Sequence, residues 1–525
     1  MLRSRVLRFA TASLLGLSLV SSLGCRRTTT TSEGPEPKAE GTVETADVAL
    51  PDPLPLPERP RLGTWLAQPK RALAMLEPYS PQPIQVAPMA QQALMGLTSP
   101  ELAEQIASGI DLNRAFSNVV LDDGQEVLRI GLTESARESL TKAFAELEPA
   151  GEFGGVHLPA AAGGEGGESR EWLAWIDEGA GGFLVLANSE AGLATGRALE
   201  AAYGQQAVFF SADPRQLPIP ADVPLERVEG RGSLDSLVVD VQFIAGQDPL
   251  AGQPIAPGTL AGLLEGPDIV AGISSTYADY DETVREITSE VNAQVRELPF
   301  LIRSIGEDLA ASLNTLLRTW DGRSLVAMGP ANHLRVAYGA NDVEKSRVAM
   351  IRLLQKVIDN ASIARNFTDA VPKMNLRRRV AKADGVDIEL FSLGRASSFL
   401  PPEARSLIDD QGKLNIAMAW SERAGGGVMV VGPNATDELG KWLEQTAGAP
   451  SHSQTKEELV TAVFAADPAS LQAIMVPGQQ PDIAQLLSIG AAGPRWKIDV
   501  TPAGSDRYTV ELTTPGAPKP ARAQP

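Results

Sequence analysis

Apolar and polar positions alternate in short runs along much of this chain, and the runs recur. Ala174-Trp175-Ile176-Asp177, then Gly181-Gly182 and Phe183-Leu184-Val185-Leu186, match Ala419-Trp420-Ser421-Glu422, then Gly426-Gly427 and Val428-Met429-Val430-Val431. Both stretches read as strand, glycine-bearing turn, strand. A helix-start signal follows each, Ser189-Glu190 in one and Asn434 with Asp437 three residues on in the other. The helices share Gly196-Arg197 and Leu199-Glu200 against Gly440-Lys441 and Leu443-Glu444, with Gly204 and Gly448 as candidate C-caps. A further strand ends at Asp213-Pro214 in one stretch and at Asp467-Pro468 in the other. Upstream, Leu128-Arg129-Ile130 precedes a helix and then Gly155-Val156-His157-Leu158, while Leu334-Arg335-Val336 precedes a helix and then Gly385-Val386-Asp387-Ile388. Matches in one order predict an internal duplication of a strand-helix-strand-strand-strand-helix-strand unit.

Between the two stretches the period changes. From Val284 through Ile287, Val291, Val295 and onward to Leu309, Leu313, Leu316 and Trp320, apolar residues fall three or four apart, as on one face of an α-helix. Pro299 interrupts this run without changing its phase and predicts a kink or tight break. The expected fold is therefore α+β: two copies of a strand/helix unit with mainly antiparallel or mixed sheets, joined by a long amphipathic helical segment that packs on both.

The ends are of another kind. Residues 25–62 are rich in Thr, Glu and Pro, with Pro51, Pro53, Pro55 and Pro57 close together, and read as an extended tether. Residues 514–525 are Pro- and Ala-rich and read as a disordered tail. The expected boundaries are thus a leader at 1–24, the tether at 25–62, a first repeat at 63–245, the helical segment at 246–322, a second repeat at 323–513 and the tail. The formal charge of −19 argues against nucleic acid and anionic head groups as main partners.

The leader has three zones. Arg3, Arg5 and Arg8 form a positive region, Phe9 to Val20 is apolar, and small residues lead to Gly24-Cys25, the layout of a secretory signal. Ser22-Leu23-Gly24-Cys25 resembles the lipobox of bacterial lipoproteins, departing from it at Ser22, where the pattern prefers Leu. Cys25 is the single cysteine of the chain. The resemblance implies cleavage before Cys25 and acylation of that residue, palmitate included. With more than one hydrocarbon chain, at ~0.8 kcal/mol per buried CH₂, anchoring would be stable. Arg26 follows, where Asp favours inner-membrane retention in many bacteria, so the resemblance points to the outer membrane, with a periplasmic or surface-exposed body.

Candidate chemistry is sparse. A lone cysteine permits no internal disulfide and no thiolate zinc cluster. His157, His333 and His452 fall on three different predicted elements, with no ligand spacing. Ser139 with Lys142 and Ser453 with Lys456 fit S-x-x-K but lack the companion motifs of a serine acyl enzyme. Asp213 and Asp467 are either turn initiators before proline or a matched pair of acids of the kind that glycoside hydrolysis uses. Asp122-Asp123-Gly124 reads as a hairpin turn. Tyr277 to Glu282 places acids in a helix first turn, or forms a cation or sugar site. Lys373, Arg377, Arg378, Arg379 and Lys382 form a basic cluster, read as a solvated face or as contact with an acidic partner.

No catalytic or metal-binding residue and no cofactor is expected. The expected role is that of a lipid-anchored envelope protein that binds or scaffolds another envelope protein or a glycan. The alternatives are a carboxylate-dependent hydrolase of envelope glycans and a periplasmic carrier of lipid or peptide. The anchor is directly testable: Cys25→Ser should shift the chain from the detergent to the aqueous phase on partition of whole-cell membranes, and equal recovery of both forms in detergent would refute lipidation.

Overall fold

The computed structural model describes residues 61–513 except 77–84, 160–170, 213–223, 249–259, 448–458, 467–490 and shorter gaps of one to four residues. The chain divides into two units between Val239 and Asp240.

In the first unit the order is β1 (Leu62–Leu66), α1 (Pro69–Leu76), α2 (Val86–Leu94), α3 (Pro100–Ser108), β2 (Phe116–Val120), β3 (Glu126–Gly131), α4 (Glu134–Phe144), β4 (Pro149–Ala150), β5 (Gly155–His157), β6 (Leu173–Asp177), β7 (Phe183–Ala187), α5 (Glu190–Tyr203), β8 (Val208–Ala212) and β9 (Leu225–Gly232). β10 (Ser236–Phe243) crosses the division. Side by side the strands run β4-β5-β6-β7-β3-β2-β1-β8-β9, every neighbour antiparallel.

Alternation sorts the two faces of this sheet. Ile130, Ala174, Leu184 and Leu186 point to a layer formed by α2, α3 and α4, where Leu94, Ile106 and Leu140 are buried. Val127, Leu173, Val185 and Ala187 point the other way, to Leu193 and Leu199 of α5. Each fully buried Leu or Ile contributes ~1.5–3 kcal/mol. Side-chain caps start the helices: Ser99 accepts from the Leu102 N–H, Thr133 from Ala136 and Ser189 from Gly192. Gly204 closes α5 as expected in position, but with right-handed backbone at φ −62°. The hairpin between β2 and β3 turns at Gly124, φ +83°, whose N–H donates to the Leu121 carbonyl.

The second unit continues with β11 (Ala271–Thr276), α6 (Tyr280–Glu297), α7 (Phe300–Leu317), β12 (Trp320–Met328), β13 (Leu334–Ala340), α8 (Val343–Ala364), β14 (Met374–Ala383), β15 (Val386–Leu393), β16 (Leu414–Ser421), β17 (Gly426–Val431), α9 (Ala435–Gln445), β18 (Val460–Ala466), β19 (Ala491–Gly504) and β20 (Arg507–Thr513). Its strands run β14-β15-β16-β17-β13-β12-β11-β18-β19-β20, again antiparallel throughout. One face buries Leu325, Ile388, Val428 and Val430 against Leu439, Trp442 and Leu443 of α9 and against Leu260 and Leu264. On the other face Phe391, Met418 and Trp420 lie under Met350, Ile351 and Leu354 of α8.

The expectation of two copies joined by a long helix is overturned. Among the described residues the twenty strands belong to one hydrogen-bonded network, and the segment expected to link two copies lies in the second unit. α6 ends at Glu297 and α7 starts at Phe300, and both lie within the second unit. Pro299 is outside the described residues. α7 packs on α8, with an ion pair of 2.6 Å from Lys356 to Asp308, and α6 packs on α7, where Thr288 donates to Asn314 at 3.3 Å. The apolar stripe is only partly covered: Leu309 and Leu313 are half-buried and Ile287 is 37% exposed.

The matched tryptophans also part company. Trp175 sits opposite Val185 and packs on the α5 face, whereas Trp420 sits opposite Gly427 and packs on the α8 face. In a strand, an odd shift of register sends every side chain to the other face, so identical letters at these two places do different jobs. The glycine pair is not only a turn. Gly426 and Gly427 begin β17, and a Cβ on Gly427 would stand 2.5 Å from the Tyr338 ring. Asp213, Asp467, Gly448 and Cys25 lie outside the described residues.

Burial sets the cost of truncation. Leu439→Ala, in a fully enclosed position, should lose ~2–5 kcal/mol, and Leu309→Ala, half-buried on α7, about 1–2 kcal/mol. Urea midpoints of the two variants beside wild type check the ordering; equal losses would mean that the helical pair is as tightly enclosed as the α9 core.

Candidate functional site

Charge inside otherwise apolar strands marks the places where this fold concentrates its chemistry. Glu389 lies in β15 between Ile388 and Leu390 and is fully buried. Its carboxylate accepts from Arg378 Nε at 2.9 Å, from the Arg379 backbone N–H at 3.1 Å and from Arg347 Nη2 at 3.2 Å. Arg347 comes from α8, so this one acid ties a helix and the β14–β15 hairpin together. Burial works against the Arg347 charge, but Glu389 and Glu344 more than offset it and hold its pKa above the ordinary arginine value.

Arg335 in β13 is also fully buried, on the α9 face. It grips Asp268 with both terminal nitrogens, lies 3.8 Å from Glu438 of α9 and places its guanidinium 5.4 Å from the Trp442 ring centroid. Trp442 in turn donates from Nε1 to the Leu263 carbonyl at 2.9 Å. In the first unit, Arg129 of β3 donates to Glu200 of α5 at 2.7 Å and stacks over Phe183 at 3.7 Å. Each pair joins a helix or loop to the middle of a sheet. Bidentate geometry and ring stacking are what a buried guanidinium needs to offset its lost hydration.

Beside Glu389 runs a neutral network. Trp420 Nε1 donates to the Tyr338 hydroxyl at 2.9 Å, and that hydroxyl is 2.9 Å from Ser346 Oγ on α8. Burial pushes the Tyr338 pKa up, and the two hydrogen bonds pull it back in part. In the first unit burial, reinforced by Glu229, pushes the Tyr203 phenol up to about 12. Its hydroxyl has no hydrogen-bond partner among the described residues.

The residues singled out from sequence are not gathered into one constellation. His157 stands on β5, half-exposed, 3.9 Å from Glu171. His333 is buried before β13 in the other unit, its Nε2 against the Pro433 carbonyl. His452 is outside the described residues. Ser139 and Lys142 lie on the surface of α4, where Ser139 accepts from Gln105 at 2.6 Å; Ser453 and Lys456 are not described. Asp281 and Glu282 occupy the first turn of α6, and Tyr280 meets Trp320 edge-on at 6.3 Å. Tyr277 and Asp279 are not described. The basic cluster falls on and beside β14, where Arg378 is spent on Glu389 and Arg379 lies 3.1 Å from Asp387. Among the described residues no three His, Cys, Asp or Glu side chains are grouped as a metal would need, and no helix is long and apolar enough to cross a membrane.

Sequence reading passed over Arg129, Arg335 and Glu389 as chemistry. The signal was available: each is a lone charge inside an apolar run, Leu128-Arg129-Ile130, Leu334-Arg335-Val336 and Ile388-Glu389-Leu390. Their partners Glu200, Asp268 and Arg347 come from elements remote or offset in sequence, and no spacing announced them.

Compared with known protein families, with curated proteins and with solved structures, the chain finds no match.

The ion pairs predict their own energetics. Arg335→Ala strands the Asp268 carboxylate and should cost ~3–5 kcal/mol in urea unfolding. Tyr203→Phe removes a hydroxyl that bonds to nothing described, and should leave stability within about 1 kcal/mol of wild type or raise it. A large loss at Tyr203 would reveal a partner for that hydroxyl.

Proposed function

We propose that the mature chain is a non-catalytic binding or scaffolding protein of the bacterial envelope, anchored through acylated Cys25, most naturally in the outer membrane. The lipobox-like Ser22-Leu23-Gly24-Cys25 supports the anchor. What supports the binding role is how the buried charges are used: Glu389, Arg335 and Arg129 are each committed to neighbours that hold helices on sheets. Groups spent in this way hold helices on sheets and leave the surface to do the binding. The partner class is an envelope protein or glycan.

A second reading, a carrier of lipid or peptide, draws on one feature of the second unit. Ile273, Val326, Val336 and Met429 stand directly opposite one another across β11, β12, β13 and β17. They form an apolar row on the α8 side of the sheet, and Val326 is 43% exposed there. Such a row offers a seat for an apolar chain.

The test is mild cross-linking in intact cells that express the tagged, lipidated chain, followed by detergent extraction. A defined envelope component should co-purify in near-stoichiometric amount. Recovery of the chain alone speaks against binding. Lipid retained by wild type and lost in Val326→Asp establishes the carrier instead. Glycan cleavage lost in Asp213→Asn or Asp467→Asn establishes the hydrolase.

A further inference from the structure

We infer that the free edge of β14 is a docking site for an acidic peptide, which adds to the sheet as an extended strand; the inference rests on the binding role proposed above and gives it a place and a partner chemistry. β14 is ten residues long and pairs with β15 along one side, and among the described residues no strand pairs with its other side. The corresponding outer strand of the first unit, β4, has two residues. A long unpaired edge is a row of backbone donors and acceptors that can template another strand.

Side chains decide which strand is accepted. Lys373, Arg377 and Lys382 are exposed, and no carboxylate among the described residues lies within ion-pair distance of any of them. Their neighbours differ: Arg378 is neutralised by Glu389 and Arg379 by Asp387. These uncompensated cations stand on a chain of formal charge −19. Two copies meeting edge to edge would bring like charges together, so the strand disfavours its own kind, whereas an acidic strand gains the ladder and the ion pairs at once.

The shape of the edge narrows the fit. The register shifts between Arg377 and Ala381, and Arg379 takes φ +52°, a bulge that splits the edge into Met374–Arg377 and Ala381–Ala383. Each run carries a cation, Arg377 in the first and Lys382 in the second. Met374 and Leu376 pack into the α8 core and stiffen the first run. An anionic lipid surface or a phosphorylated glycan could meet the cations but would leave the backbone row unused, and the acidic body repels an extended anionic surface. A peptide uses both.

The experiment measures binding of a fluorescent ten-residue peptide that alternates Glu with Val and Thr to the full-length lipidated chain in neutral detergent. Three comparators are run beside it: the same peptide N-methylated at alternate residues, its Lys-for-Glu counterpart, and vesicles containing an anionic phospholipid. The acidic peptide should bind, with affinity falling as salt rises through the ~0.1 M range where screening sets in. N-methylation should abolish binding, and the Lys peptide should not bind. The double variant Arg377→Glu/Lys382→Glu alters only exposed side chains and should keep the wild-type urea midpoint, while binding the acidic peptide about tenfold more weakly or worse. Undiminished binding of the N-methylated peptide overturns strand addition. Vesicle binding that depends on Arg377 and Lys382, without peptide binding, overturns the peptide in favour of a membrane. If the double variant still captures the envelope partner as wild type does, this site is refuted while the binding role stands; if neither captures one, the binding role itself has failed.

Discussion

A charge buried in the middle of a β-sheet persists only where its counter-charge is brought to it, and the packing of this protein depends on that constraint. Arg335 cannot leave water unless Asp268 and the Trp442 ring arrive with it. Asp268 belongs to the segment before β11, and Trp442 to α9. The pairing therefore fixes where a loop and a helix sit on the second sheet. Glu389 does the same on the opposite face, holding α8 and the β14 hairpin through two arginines and a backbone N–H. Apolar burial drives association of these layers without direction. The ion pairs add what burial lacks, a single position for each helix, because a displaced helix would strand a bare charge at a cost of several kcal/mol.

Around those fixed points the two units spend their apolar surface differently. In the first, Leu94, Ile106 and Leu140 close the α2–α4 layer over Leu184 and Leu186, while Met89 of α2 and Met95 just after it stay exposed. In the second, α6 and α7 are longer, α7 lying against α8 and α6 against α7, with Leu309 and Leu313 half-buried. The row from Ile273 to Met429 is then only partly covered. The second unit thus leaves surface open at this row and at the β14 edge. The strand edge is protected from self-association by the same basic residues that suit it to an acidic partner.

Much of the local structure was legible because local rules produced it. Ser189 capping α5 and Gly124 turning the β2–β3 hairpin both follow from residues within a few positions of the event. The Trp175 and Trp420 match misled for an equally definite reason. A motif of four letters says nothing of its hydrogen-bonding register, and one odd step reverses the face. The helical stripe misled differently: its periodicity showed that one side is apolar, but not what would cover it.

The sequence by itself determined the acidic balance, the lone cysteine in a lipobox-like setting, and local events such as the Ser189 cap and the Gly124 turn, since these depend on neighbours along the chain. Only the tertiary structure decided that Asp268 answers Arg335, that Arg347 and Arg378 answer Glu389, and that β14 is left at an edge with Lys373, Arg377 and Lys382 uncompensated among the described residues. Those outcomes turn on contacts between residues up to 67 positions apart. A buried charge selects its partner by distance and geometry in space, and the linear order of residues carries no record of either.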